Sequence, residues 1–101
     1  MITLQVRELK TITEKAVGLL TAKKAYPVLF RTRFGIHTFG MKFAIDVLVL
    51  DSKNVVVVLK KQLNPNRIFI WNPRFDTVIE LPEGEIEKLK IQKGSAIKII
   101  Y

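Results

Sequence analysis

The chain has 101 residues, 17 Lys and Arg against 9 Asp and Glu for a formal charge of +8, and no cysteine. That length holds one domain with its own core, spanning residues 1–101. The missing thiols exclude disulfides, zinc–thiolate centres and cysteine nucleophiles, and they suit a reducing, cytoplasmic setting. The longest apolar runs, VLVL and VVVVL, are far shorter than the roughly 18 residues that cross a bilayer. MITLQVRELK lacks the apolar run and small-residue cleavage site of a secretory leader, so no membrane partner is expected. The basic excess is spread over both halves of the chain, which favours polyanions. It equally suits a heat-adapted protein with many solvated lysines around a Val/Ile-rich core.

Residues 2–6 alternate apolar and polar side chains, as a half-buried strand does. Thr13 then caps a short helix in EKAVGLLTAKK, with Ala16, Val17 and Leu20 on one side. Gly18 within it costs about 1 kcal/mol relative to alanine. Pro27 opens an extended segment, VLFRTRF, with Phe30, Thr32 and Phe34 on one face and Arg31 and Arg33 on the other. FAIDVLVL and VVVVL, joined by the polar turn DSKN, read as a buried hairpin at the centre of the fold. Lys60 and Lys61 follow the valine run and protect it against aggregation.

NPN at residues 64–66 forms a loop. Residues 67–71 make a strand with Ile68 and Ile70 facing one way and Phe69 and Trp71 the other. Asn72-Pro73 turns the chain into a further strand over residues 76–81. Pro82 starts a second short helix, EGEIEKLK, whose early glutamates and late lysines complement its dipole. Ile86 and Leu89 anchor it, and Gly94 turns the chain into a last strand over residues 96–101. Six or seven short strands with two short helices imply a mainly β fold, a small sandwich or a partly closed barrel.

Two stretches carry a family likeness. IHTFGMKFAIDVLVLDS at residues 36–52 and TVIELPEG at residues 77–84 closely resemble the family called domain of unknown function 192, or uncharacterised protein family 0127. Gly18-Leu19-Leu20, Asn64-Pro65-Asn66-Arg67 and the segment from Leu89 to Gly94 also fit its pattern. The resemblance extends from about Thr13 to Tyr101 and implies a small, jelly-roll-like, mainly β fold with no established reaction. One departure stands out: many relatives carry an arginine just after the Gly-Leu pair, where this chain offers only Lys23 and Lys24. Lysine does not reproduce a bidentate guanidinium contact.

HTFGMKFAID holds the candidate site. Asp46 lies within an apolar strand run, and it either accepts backbone N–H groups, pairs with Lys42 or Arg67, or forms part of a ligand pocket. The structural reading leads. His37 is the only histidine and so the only side chain with an ordinary pKa near neutrality. His37, Lys42, Asp46 and Arg67 together would bind a small polar or anionic ligand, with Gly40, Met41 and Glu80 in support. Glu80 is expected to face a basic partner or cap the helix after Pro82. A metal held by His37, Asp46 and Glu80 would be assembled from distant segments, and no metal or cofactor is expected. The chain contains no G-x-S-x-G, Walker or dinucleotide fingerprint, so an enzyme is the weakest reading.

Nucleic acid is the alternative partner. Phe30-Arg31-Thr32-Arg33-Phe34 and Arg67-Ile68-Phe69-Ile70-Trp71 interleave aromatic and basic residues as single-strand binders do. Only the second segment would set Arg67, Phe69 and Trp71 on one face. A non-catalytic binding module with a polar pocket near HTFGMKFAID is the expected function.

Overall fold

The computed structural model describes residues 1–10 and 26–101. The helix expected after Thr13, with Gly18, Lys23 and Lys24, lies outside these residues. Among the described residues the chain forms nine strands and one short helix. In chain order these are β1 (Ile2–Gln5), β2 (Arg7–Glu8), β3 (Val28–Arg31), β4 (Ile36–His37), β5 (Ile45–Leu50), β6 (Val56–Leu63), β7 (Ile68–Phe69), β8 (Thr77–Pro82), α1 (Glu85–Lys88) and β9 (Ile97–Ile100).

A five-stranded sheet in the order β2-β3-β8-β5-β6 is the centre of the molecule. Two-stranded ribbons, β1-β9 and β4-β7, complete the arrangement, which is sandwich-like and does not close into a barrel. Both faces of the sheet are covered. Leu29, Leu48, Leu50, Ile79 and Leu81 point toward β1, β9 and α1. Val28, Phe30, Val47, Val49 and Val78 point the other way, where Ile36 and Phe69 of the β4-β7 ribbon pack on them. This double cover explains why every residue of β5 is buried and why its sequence is an unbroken apolar run around Asp46.

The hairpin β5-β6 forms as its turn sequence dictates. Asp51 Oδ1 accepts the N–H groups of Lys53 (2.8 Å) and Val55 (3.0 Å), and Asn54 takes the left-handed conformation. Its place in the sheet differs from the expected one. β8 is the middle strand, pairing with both β3 and β5, while β6 lies at the sheet's edge. The valines of β6 are accordingly only part-covered, and Lys60 and Lys61 stand in solvent on an edge strand, where charge discourages further pairing.

Two other boundaries move. Pro82 ends β8 instead of opening the helix, and α1 begins after Gly84. The strand expected over residues 67–71 shortens to Ile68–Phe69, although the alternation of exposed and covered side chains runs on through Trp71.

Candidate functional site

The loop after β4 and the loop before β7 are held together by one side chain. Thr38 is fully buried. Its Oγ1 donates to the carbonyl of Asn64 (2.7 Å) and accepts the N–H of Arg67 (2.9 Å). Its backbone N–H donates to the carbonyl of Arg67 (2.9 Å), and its carbonyl accepts from Met41 and Asn66. Asn66 Oδ1 in turn accepts the N–H of Gly40 (3.3 Å). The HTFG and NPNR segments, far apart in sequence, therefore form one unit. Next to it, Gly35 has φ +87°, and a Cβ there would come within 2.6 Å of the Phe69 carbonyl oxygen. Only glycine permits that approach.

This unit places His37 and Arg67 near each other, since His37 pairs with Ile68 across the β4-β7 ribbon. The imidazole is exposed, stacks on Phe39 with ring centroids 5.2 Å apart, and accepts the Phe39 N–H at Nδ1 (3.3 Å). Arg67 is exposed and donates to the carbonyl of Asn66 (3.3 Å). Lys42 is exposed on the turn leading to β5, and Met41 is buried beneath it in the core.

Asp46 sits elsewhere, on the opposite side of the sheet from the ribbon. It is almost wholly buried, and its carboxylate takes three backbone N–H groups. Oδ1 accepts from Gln62 (3.0 Å), and Oδ2 accepts from Gly84 (3.1 Å) and Ile86 (2.9 Å). The Gln62 contact has a local cause. Ile45 pairs with Leu63 but Val47 pairs with Lys60, so Asp46 faces two residues, Lys61 and Gln62, across a β-bulge. Gln62 adopts φ 57° there, which takes its N–H out of the ladder and turns it to the carboxylate. At its other oxygen Asp46 acts as the cap for α1, whose N-cap residue Gly84 has no side chain to do so. Of the roles foreseen for Asp46, the structure places it as an acceptor of backbone N–H groups, with no Lys or Arg bonded to it among the described residues.

Glu80 neither caps α1 nor meets a cation among the described residues, in contrast to its expected role. It lies in mid-strand on β8, paired with Val28 on one side and Val47 on the other, and is 5% exposed. Desolvation raises its pKa from 4.5 to about 7. His37, Asp46 and Glu80 thus occupy three separate places. Among the described residues no three His, Asp or Glu side chains gather where a metal ion would sit.

The cleft nearest the joined loops has a volume of about 310 Å³. Lys60, Gln62, Asn64 and Arg67 form its polar wall, with Leu63 and Phe69 as apolar floor. Arg67 is the foreseen site residue that lines it, and Asp46 touches it indirectly by fixing Gln62. The polar run Lys60-Lys61-Gln62 inside a valine strand was the readable trace of the bulge, and of a wall that sequence reasoning missed. Phe69 and Trp71 pack partly against the core instead of sharing an open face with Arg67. The Trp71 indole N–H donates to the carbonyl of Phe75 (2.8 Å).

Comparison with known proteins places this geometry in a family. A UPF0127 protein of Pyrococcus horikoshii is 37% identical over 100 residues, covering 93% of this chain and 86% of the relative. A second, from Pyrococcus furiosus, is 29% identical over 103 residues, covering 96% and 88%. A crystal structure of a protein of unknown function from Novosphingobium aromaticivorans shares the fold at TM-score 0.77 and 15% identity, covering 88% of this chain and 70% of the other. The model of the domain of unknown function 192 family, described as "Uncharacterized ACR", matches residues 2–99, and the chain belongs to that family.

Proposed function

We propose that the protein is a non-catalytic binding module that takes a small anionic group, a phosphate or carboxylate, in the cleft beside the joined HTFG and NPNR loops. One observation carries this reading: Lys60 and Arg67 share the cleft, and neither forms an ion pair among the described residues. Two cations with no ion-pair partner among the described residues, set at one concave surface, attract an anion, and the guanidinium offers a bidentate fork to it. The amides of Gln62 and Asn64 add neutral donors that orient the ligand. Among the described residues the lining contains no carboxylate, imidazole, hydroxyl or thiol, so these residues offer binding groups without a nucleophile or a general base.

Within this reading Asp46 is a positioning residue. It holds the bulge that presents Lys60 and Gln62, while His37 borders the site across the ribbon and Lys42 adds positive potential nearby. The heat-adapted interpretation of the surplus charge stands beside it, supported by relatives from Pyrococcus.

Backbone amide NMR during titration with inorganic phosphate, and then with a small dicarboxylate, tests the reading. Saturable shifts at Gln62, Asn64 and Arg67 are expected, and Lys60→Ala and Arg67→Ala should each abolish them. Shifts that are absent, or that spread evenly over all surface lysines, would defeat it.

A further inference from the structure

The described chain leaves seven large apolar side chains exposed, and four of them, Phe34, Phe39, Ile68 and Ile70, lie on or beside the β4-β7 ribbon. The other three are at the chain ends, at Met1, Ile100 and Tyr101. Phe34 is 92% exposed, Ile68 66% and Ile70 70%. Their arrangement follows from the register. His37 and Ile68 are opposite one another and point away from the core, whereas Ile36 and Phe69 point into it. Ile70 returns to the outer face two residues after Ile68 and packs beside Gly35, next to Phe34. Phe39 extends the same face by stacking on His37.

The segments that carry the ribbon are basic. Residues 31–44 and 60–75 contain seven Lys and Arg and no Asp or Glu. Arg31 and Arg33 share one carboxylate, Asp76, at 4.0 and 3.5 Å. Ile68 belongs both to this apolar face and to the wall of the Lys60–Arg67 cleft. Apolar tips, a cationic rim and an anion cleft therefore meet along one edge of the molecule.

We propose that this ribbon is a membrane-docking surface. Phe34, Phe39, Ile68 and Ile70 enter the interfacial region of an anionic bilayer, and the Lys60–Arg67 cleft takes a lipid phosphate. The proposal rests on the anion-cleft reading above and names the source of the anion. Partly exposed apolar side chains ringed by Lys and Arg are the composition that holds a protein on an anionic lipid surface without spanning it. Two other occupants fit less well. A second copy would bring the same cations face to face. Single-stranded nucleic acid needs a row of free ring faces for stacking, but Phe39 is already stacked on His37, Phe69 and Trp71 pack against the core, and the outermost β7 positions are isoleucine, which leaves Phe34 as the single free ring among the described residues of this face.

Co-sedimentation with sucrose-loaded vesicles tests the docking, using pure phosphatidylcholine and phosphatidylcholine mixed with phosphatidylglycerol. The protein is expected to pellet with the anionic vesicles and stay in solution with the neutral ones. The double variant Phe34→Ser/Ile70→Ser, at two positions outside the cleft, should bind anionic vesicles roughly tenfold more weakly. Both positions are exposed, so the variant should keep the wild-type melting temperature and its amide shifts with inorganic phosphate. If phosphate titrates the cleft but neither vesicle pellets the protein, membrane docking is wrong and the anion-cleft reading survives. Vesicle binding that the double variant leaves unchanged also overturns docking, because charge alone then explains it. So does equal retention by soluble polyglutamate or oligo-dT that the variant does not weaken.

Discussion

Asp46 and Glu80 stand on neighbouring strands of one sheet, each almost wholly buried, on opposite faces. Asp46 opposes Leu81, and Glu80 opposes Val47, so the two positions are one residue apart in register. Around Asp46 the backbone has been rearranged to supply donors: a bulge frees the Gln62 N–H, and the start of α1 adds two more. Around Glu80 the neighbouring strands are regular, their N–H groups are engaged in the ladders, and the flanking side chains are valines. Burial by itself therefore does not decide whether a carboxylate finds hydrogen-bond donors. What decides it is whether nearby backbone has left its regular pairing, because a sheet in perfect register has no N–H groups to spare.

The sharpest way to break this comparison is to remove the acceptor at Asp46. Asp46→Ala would leave three N–H groups without a partner at a buried site, for a loss of roughly 4 kcal/mol. Asp46→Asn should lose somewhat less, since one amide oxygen remains and the NH₂ opposes a donor. Urea unfolding measures both. A variant as stable as wild type would mean that water replaces the carboxylate without cost.

Glu80 should behave in the opposite sense. In the unfolded chain it loses its proton near pH 4.5, and in the fold near about 7. The folded state thus binds the extra proton between those values. Its contribution is complete below about pH 4.5 and is lost as pH rises to about 7, a total of roughly 3 kcal/mol. Glu80→Gln should flatten this dependence and be the more stable protein at about pH 8 by up to that amount. Urea midpoints across the range provide the check, and an unchanged pH profile in the variant would show that Glu80 is not the group responsible.

The smallest effect concerns the bulge itself. Gln62 adopts a left-handed conformation that strains a residue with a Cβ, yet its N–H is what Asp46 needs. Gln62→Gly should keep the hydrogen bond, relieve the strain and gain up to about 1 kcal/mol in thermal unfolding. Combining it with Asp46→Ala should erase that gain, because the bulge then has no acceptor to hold it.

Local patterns made much of the fold readable. The unbroken apolar run marked β5 as a strand covered on both sides, Asp51 and Asn54 specified the hairpin turn, and the alternation through residues 67–71 set Ile68 and Ile70 on the face opposite Phe69 and Trp71. The site was legible in part. HTFG and NPNR were recognisable as distinctive segments, but nothing in either one shows that Thr38 joins them through its hydroxyl. Lys60 was read with Lys61 as a charged end that protects the valine run, and Gln62 carried no signal, since a cleft wall arises only when β6 is set beside β7.

The chain by itself determined the mainly β class, because strand patterns and turn residues act over a few positions. Only the tertiary structure decided which strand would be central, where the acceptors of buried N–H groups would come from, and which carboxylate would find no donor among the described residues. Those outcomes depend on strand register between distant segments. A shift of one residue there would exchange the faces of Asp46 and Glu80, with every local pattern left intact.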